Sequence, residues 1–256
     1  MRYAIIGVEG QHDQAFVGKV LKLLGFKDFR VELKGLESAL DPFWRKFIPV
    51  YPKKGDLYER LDMPSILFND TISVAIYAGG GSNLVTNLDD ILFVNSEYQT
   101  NLAAFGIVAD CDKSTPDRIV EPYANKFRSY FPTFPARPGV VDTNSPRTGI
   151  YVLPDNQQQG VLDTLVCECG EIAYPAYMER ARSYLDKFSE EDKKILKLKN
   201  FDLDKALVAT VVSVLKPGLT NTVSIAQNDW VSKQTQQEVP ALAKFIDFLR
   251  DLLELS

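Results

Sequence analysis

The sequence predicts an α/β fold: a mainly parallel sheet flanked by helices, with an insertion after the first helix and a mostly helical C-terminal part. Two observations predict it. Apolar strand-like runs at residues 3–8, 72–78 and 103–109 each end in a tight turn and pass into a helical pattern. Strand, turn and helix in succession build parallel sheets through right-handed crossovers. The chain, at 256 residues with 45% hydrophobic and 25% charged content, also has the make-up of an ordinary globular protein. It can bury a core without metal or disulfide staples.

The first strand runs over 3–8. After Gly10 the pattern becomes helical from about Gln11 to Leu24, with Phe16, Val20 and Leu23 on one face and Gly25 as a stop. Residues 27–70 read as an insertion of short helices and loops, punctuated by Pro42, Pro49, Pro52 and Pro64. Its aromatics Phe43, Trp44, Phe47 and Tyr51 suit a local mini-core. With Arg45, Lys46, Lys53 and Lys54 they also suit a stacking and phosphate-contact platform. The second strand, 72–78, ends in Gly79-Gly80-Gly81-Ser82-Asn83 before a helix carrying Leu84, Leu88, Ile91 and Leu92. The third, 103–109, ends in Asp110-Cys111-Asp112. Thr115-Pro116 then opens a helix whose apolar face is Ile119, Tyr123, Phe127 and Tyr130, with Thr115 as its cap. A fourth strand, 149–153, meets the turn Pro154-Asp155-Asn156. From Val161 onward the pattern is helical over 161–171, 174–188, 203–215 and 239–255. The reading is therefore an α/β core over 1–165 and a mostly helical extension over 166–256, packed on the core rather than independent.

Composition excludes several chemistries. One histidine, His12, cannot furnish an HExxH or three-His zinc site, and no G-x-S-x-G elbow accompanies it. No P-loop is present, since Gly18-Lys19 is followed by Val20 inside a helix. Cys167 and Cys169 on one helix lie ~200° apart around its axis and cannot chelate one ion together. The odd count of three cysteines points to a reducing compartment, read here as cytoplasmic. The uncharged run 71–88 is broken by glycines, so no membrane span is expected. The net charge of -5, from 29 Lys+Arg and 34 Asp+Glu, argues against coating nucleic acid by global charge. A local cationic site is needed instead.

Open α/β sheets bind ligands at the carboxyl ends of their strands. Three such ends here carry Glu9-Gly10, the glycine run and Asp110-x-Asp112. Strand alternation would aim Asp110 and Asp112 the same way and turn Cys111 into the body. Asp13 follows Glu9 by four residues and could join them. Carboxylates ~4 Å apart repel by about 4 kcal/mol at an effective dielectric of ~20. Such a cluster must take up protons or a cation, and oxygen-only ligands favour Mg²⁺ or Mn²⁺. Backbone N–H groups at Gly79, Gly80, Gly81 and Ser82 could approach a phosphate, or the glycines could simply allow close packing. His12 lies beside this point, as a phosphate contact or as a solvated first-turn histidine.

The ordered set Val8-Glu9-Gly10, Gly79-Gly80-Gly81 and Ala109-Asp110-Cys111-Asp112, continued by Leu153-Pro154-Asp155-Asn156 and Gly160-Val161-Leu162-Asp163, resembles the TOPRIM domain family. It is closest to small prokaryotic TOPRIM-related proteins akin to nucleases of the overcoming-lysogenization-defect type. The resemblance spans most of the chain and explains 27–70 least. It implies that Glu9, Asp110 and Asp112 are catalytic. It also implies that Glu9, Asp13, Asp110, Asp112 and Asp163 hold Mg²⁺ or Mn²⁺ for phosphoryl transfer on nucleic acid or a nucleotide. Asp163 stands where the relatives usually carry Glu, a shorter reach. The other reading is a non-catalytic metal- or nucleotide-binding or regulatory protein that keeps the fold. A second copy of the chain or another protein as partner stays open.

Overall fold

A computed structural model describes residues 1–28, 43–44 and 65–255. The sheet has seven strands: β1 (Arg2–Val8), β2 (Lys27–Asp28), β3 (Ser65–Phe68), β4 (Ile72–Ala78), β5 (Ala104–Asp110), β6 (Val141–Asp142) and β7 (Arg147–Leu153). Their spatial order is β2-β3-β4-β1-β5-β7-β6. The inner four, β4-β1-β5-β7, are parallel, and antiparallel strands close both edges. Eleven α-helices are described: α1 (Gln11–Leu23), α2 (Leu84–Val94), α3 (Ser96–Asn101), α4 (Pro116–Phe127), α5 (Leu162–Ala173), α6 (Pro175–Leu185), α7 (Glu190–Ile195), α8 (Asp202–Leu215), α9 (Asn221–Gln227), α10 (Lys233–Glu238) and α11 (Pro240–Leu253).

The strands are apolar on both faces, as a sheet covered on both sides requires. Along β1, Ala4, Ile6 and Val8 face one hydrophobic cluster and Ile5 the other; along β5, Ala104 and Val108 oppose Phe105, Ile107 and Ala109. The first cluster takes in Phe16 and Val20 of α1, Leu165 of α5, Val208 of α8 and Phe245 of α11. The helical extension thus shares one core with the strands. Leu84 and Leu88 of α2 and Tyr123 and Phe127 of α4 cover the opposite face. Close approach has sequence consequences: a Cβ on Gly7 would meet Leu88 Cδ1 at 2.4 Å, and one on Gly106 would meet Leu252 Cδ2 at 2.4 Å.

Several expectations change. The helix expected over 174–188 is shorter at both ends: Tyr174 leaves helical geometry between α5 and α6 (φ −139°), and α6 stops at Leu185. Tyr130 lies beyond α4, whose buried face is Val120, Tyr123, Ala124 and Phe127. Thr115 caps α4 by position alone, without a side-chain hydrogen bond. Strand β3, inside the expected insertion, carries no alternation to announce it, since Ile66 and Leu67 are both buried. Helices α7, α9 and α10, of six or seven residues, are too short for a clear period. Of the insertion's aromatics, Trp44 is buried in the main core and donates from Nε1 to Ser73 Oγ (2.9 Å). Phe43 stacks on Tyr3 at 4.0 Å. Phe47, Tyr51, Arg45, Lys46, Lys53 and Lys54, with Pro42, Pro49, Pro52 and Pro64, lie outside the described residues. Cys111, Cys167 and Cys169 are buried and free. No helix among the described residues is long and apolar enough to cross a membrane.

Thr148, on β7, is the one described residue with a buried side-chain oxygen lacking a hydrogen-bond partner. Thr148→Val keeps the shape and removes the unsatisfied hydroxyl. We expect a gain of about 1 kcal/mol in denaturant unfolding; a loss of stability would show that the hydroxyl has a partner after all.

Candidate active site

The parallel strands β4-β1-β5-β7 follow the chain order two-one-three-four. In sheets of this order the ligand crevice opens where successive connections leave in opposite directions, between the first and third strands. Here those are β1 and β5, with α1 on one face and α2 on the other. Glu9 follows the last residue of β1, and Asp110 is the last residue of β5.

Backbone amides position the carboxylates. Asp110 N donates to Glu9 Oε1 (3.1 Å), which ties the two strand ends together. Leu162 N, at the start of α5, donates to Asp110 Oδ1 (2.8 Å). Gly10 N donates to Asp13 Oδ2 (2.9 Å), so Asp13 also closes the first turn of α1. Asp163 lies in the first turn of α5. Asp13 and Asp163 are 8% and 5% exposed, low for carboxylates that make no ion pair among the described residues.

Burial and mutual repulsion hold these groups toward their protonated forms. Burial raises Asp13 to about 7, aided by the neighbouring charges of Glu9 and Asp163. Asp110 is pushed well above the usual carboxylate range by burial and then by Asp13 and Glu9. Burial also raises Glu9, with the Asp110 amide opposing it and Asp112 adding repulsion. Asp163 is raised by burial, against the attraction of His12 and Lys205. The Tyr123 phenol is raised by burial and by Glu9, Asp110 and Asp13, which puts it beside the same cluster. A carboxyl whose pKa is higher folded than unfolded favours the folded state below the unfolded value and loses that advantage as pH rises through the folded one. The metal-free protein should therefore lose stability from pH 5 to pH 8, by on the order of a few kcal/mol, and melt at progressively lower temperature. A melting temperature that rises over that interval would contradict the arrangement.

Asp112 departs from expectation. Strand geometry ends at Asp110, and Asp112 takes a left-handed conformation (φ 50°). Its amide donates to Gly160 O (2.8 Å) and its carbonyl accepts from Gly160 N (3.2 Å). The alternation that would have aligned Asp110 with Asp112 is thus broken, and Asp112 is exposed. It still lies near enough to raise Glu9 and Asp110. Cys111 is buried as expected.

The glycine turn serves the site differently from a phosphate cradle. Gly79 N donates to Val8 O (2.9 Å) and Gly81 N to Glu9 O (2.8 Å), so both amides are committed to the Glu9 turn. A Cβ on Gly79 would lie 2.6 Å from Leu84 Cα. Of the four residues expected to bind phosphate, Gly80 and Ser82 are exposed.

Lys205 and Asp204, from α8, were not anticipated. Lys205 attracts both Glu9 and Asp163. Thr164 Oγ1 donates to Asp204 Oδ2 (2.7 Å) and joins α5 to α8. Nothing local in the sequence around 204–205 marks them; only the packing of α8 against α5 brings them here. Among the described residues no three His, Cys, Asp or Glu side chains already form a group that could hold a metal ion.

The family described as "Protein of unknown function (DUF3226)" matches residues 3–254 of the chain. The fold is also similar to the crystal structure of hypothetical protein PH0156 from Pyrococcus horikoshii OT3. That likeness has 18% identity, a TM-score of 0.48, and coverage of 100% of this chain and 97% of the other. No curated protein matches.

Proposed function

The chain belongs to the DUF3226 family, and we propose that it is a divalent-metal-dependent phosphoryl-transfer protein of TOPRIM-like type, nuclease-like, acting on nucleic acid. One observation carries this reading. Glu9 and Asp110 meet at the crevice between β1 and β5, with the buried carboxylates Asp13 and Asp163 close enough to perturb the group electrostatically. Such a cluster is costly as anions unless protons or a cation relieve it.

The donor set is all oxygen, which fits Mg²⁺ or Mn²⁺ and not a soft metal. Glu9, Asp13, Asp110, Asp112 and Asp163 are the residues that would hold it, after rearranging their side chains. When bound, such an ion neutralises charge developing on a phosphodiester and lowers the pKa of water toward neutrality. The protein's own groups supply the rest. The Asp110 and Leu162 amides fix one oxygen each of Glu9 and Asp110. Lys205 offsets part of the negative charge near Glu9 and Asp163. Burial raises the Glu9 carboxyl and so favours its proton-carrying form, the state a general acid needs.

The test is cleavage of labelled single- and double-stranded DNA and RNA in Mn²⁺ or Mg²⁺. The wild-type protein should cleave at least one substrate, and Asp110→Asn/Asp112→Asn should not. The left-handed Asp112 and its exposure favour a second reading, a metal- or nucleotide-binding regulatory protein. That reading gains if calorimetry finds nucleotide binding without turnover.

A further inference from the structure

The polypeptide from the last turn of α7 toward α8 is unlike the rest of this acidic chain. Residues 193–199 read Lys-Lys-Ile-Leu-Lys-Leu-Lys, four lysines and no acid. Lys193 pairs with Glu190 (2.7 Å). Lys194, Lys197 and Lys199 are exposed and make no ion pair among the described residues. Of the nearby acids, Glu190 pairs with Lys193, Asp192 accepts from Ser189 N and Oγ, Asp202 accepts from the Lys199 amide and Asp204 accepts from Thr164, while Glu191 stands exposed at the start of the segment. Apolar side chains stand out between the lysines, with Ile195 71% and Leu196 60% exposed. Tyr184 and Phe188, an exposed edge-to-face aromatic pair at 5.5 Å, precede the same segment.

The segment leads to the carboxylates. Lys199 O accepts from Asp202 N at the start of α8. Lys205, about one helical turn or ~5 Å further along, attracts Glu9 and Asp163. A row of unpaired cations that ends at a phosphoryl-transfer site matches a polyanion entering that site. Exposed aromatics beside the cations match unpaired bases.

We propose that the α7–α8 segment is a docking surface for single-stranded nucleic acid, with Lys194, Lys197 and Lys199 on its phosphates and the strand directed to the carboxylate crevice. This rests on the phosphoryl-transfer reading above. The segment supplies locally the positive charge that the chain as a whole lacks.

The experiment is fluorescence anisotropy of a labelled oligothymidylate against the full chain in EDTA, over a range of salt. The wild-type protein should bind, with log affinity falling linearly in log salt. Lys194→Gln/Lys197→Gln/Lys199→Gln should bind about tenfold or more weakly and lose ~2 from the salt slope, at about 0.7 per phosphate contact. Its melting temperature should match wild type, since these side chains are exposed. No oligonucleotide binding by wild type, or unchanged affinity and slope in the triple variant, overturns the proposal. So does lysine-dependent binding to phosphatidylserine vesicles without binding to the oligonucleotide, which would assign the segment to a membrane surface. The carboxylates are tested separately, by cleavage in Mn²⁺ with Asp110→Asn/Asp112→Asn. If that variant retains cleavage while the lysine variant loses binding, the carboxylate assignment fails and the docking surface stands.

Discussion

Asp110→Asn/Asp112→Asn is expected to raise the melting temperature of the metal-free protein at pH 7.5 and to abolish the further rise that Mn²⁺ gives the wild type. Both effects follow from one arrangement. Asp110 is a half-buried carboxyl among Glu9, Asp13 and Asp112, and its charged form is disfavoured there. The amide of Asn keeps an oxygen for the Leu162 N–H, so the contact at the start of α5 survives. Losing one such charge should stabilise by about 1–2 kcal/mol, the usual sign when a residue kept for function is removed. In wild type, an ion at a hundred times its dissociation constant adds about 2.7 kcal/mol. For a chain of this size that is roughly 5–10 °C. A Mn²⁺ shift that persists in the variant would place the ion elsewhere. A variant less stable than wild type without metal would mean that Asp110 is there to hold α5, not to serve a ligand.

Gly79→Ala should be the most damaging single methyl near the site. The added carbon would lie 2.4 Å from Leu84 Cδ1 and 2.6 Å from Leu84 Cα. A rotamer change relieves the first contact, but the second needs the first turn of α2 to move. Overpacking of this kind costs about 1–3 kcal/mol or more, and we expect about 3. The same shift would disturb the Gly79 and Gly81 amides, which hold the Val8 and Glu9 carbonyls. The Mn²⁺ response should weaken together with stability. Gly18→Ala is the matching control. It lies within α1, and its Cβ would meet only Ile76 Cδ1 at 3.7 Å and Leu67 Cδ1 at 4.0 Å. That variant should be neutral or slightly stabilising, since alanine is the better helix former by about 1 kcal/mol. Equal melting temperatures for the two variants would show that the turn at 79 has room the structure does not display.

What the sequence revealed of this molecule depends on the range of the signal. The parallel strands β1, β4, β5 and β7 are dense apolar runs closed by turns, so their existence and the acids at their ends could be read locally. Glu9 and Asp110 were legible for that reason. Asp112 was misplaced because alternation assumes an extended chain, and pairing with Gly160, 48 residues later, bends the backbone there. The glycine turn was legible as a turn. Its partners were not, because they are the carbonyls of Val8 and Glu9, where β1 ends, about 70 residues earlier. Lys205 belongs to a helix whose only local message is an apolar face.

The hydrogen bonds that position the acids also make the site observable. Glu9, Asp13 and Asp110 each accept from one backbone N–H, those of Asp110, Gly10 and Leu162. Any proton or ion that reaches one of these carboxylates changes the electron density on the oxygen its amide faces. In a nitrogen–proton correlation spectrum the Asp110, Gly10 and Leu162 peaks should therefore move with occupancy of the site, each reporting a different oxygen. The three signals would give the order in which the acids are engaged, with no substrate and no substitution, only nitrogen-15 in the backbone.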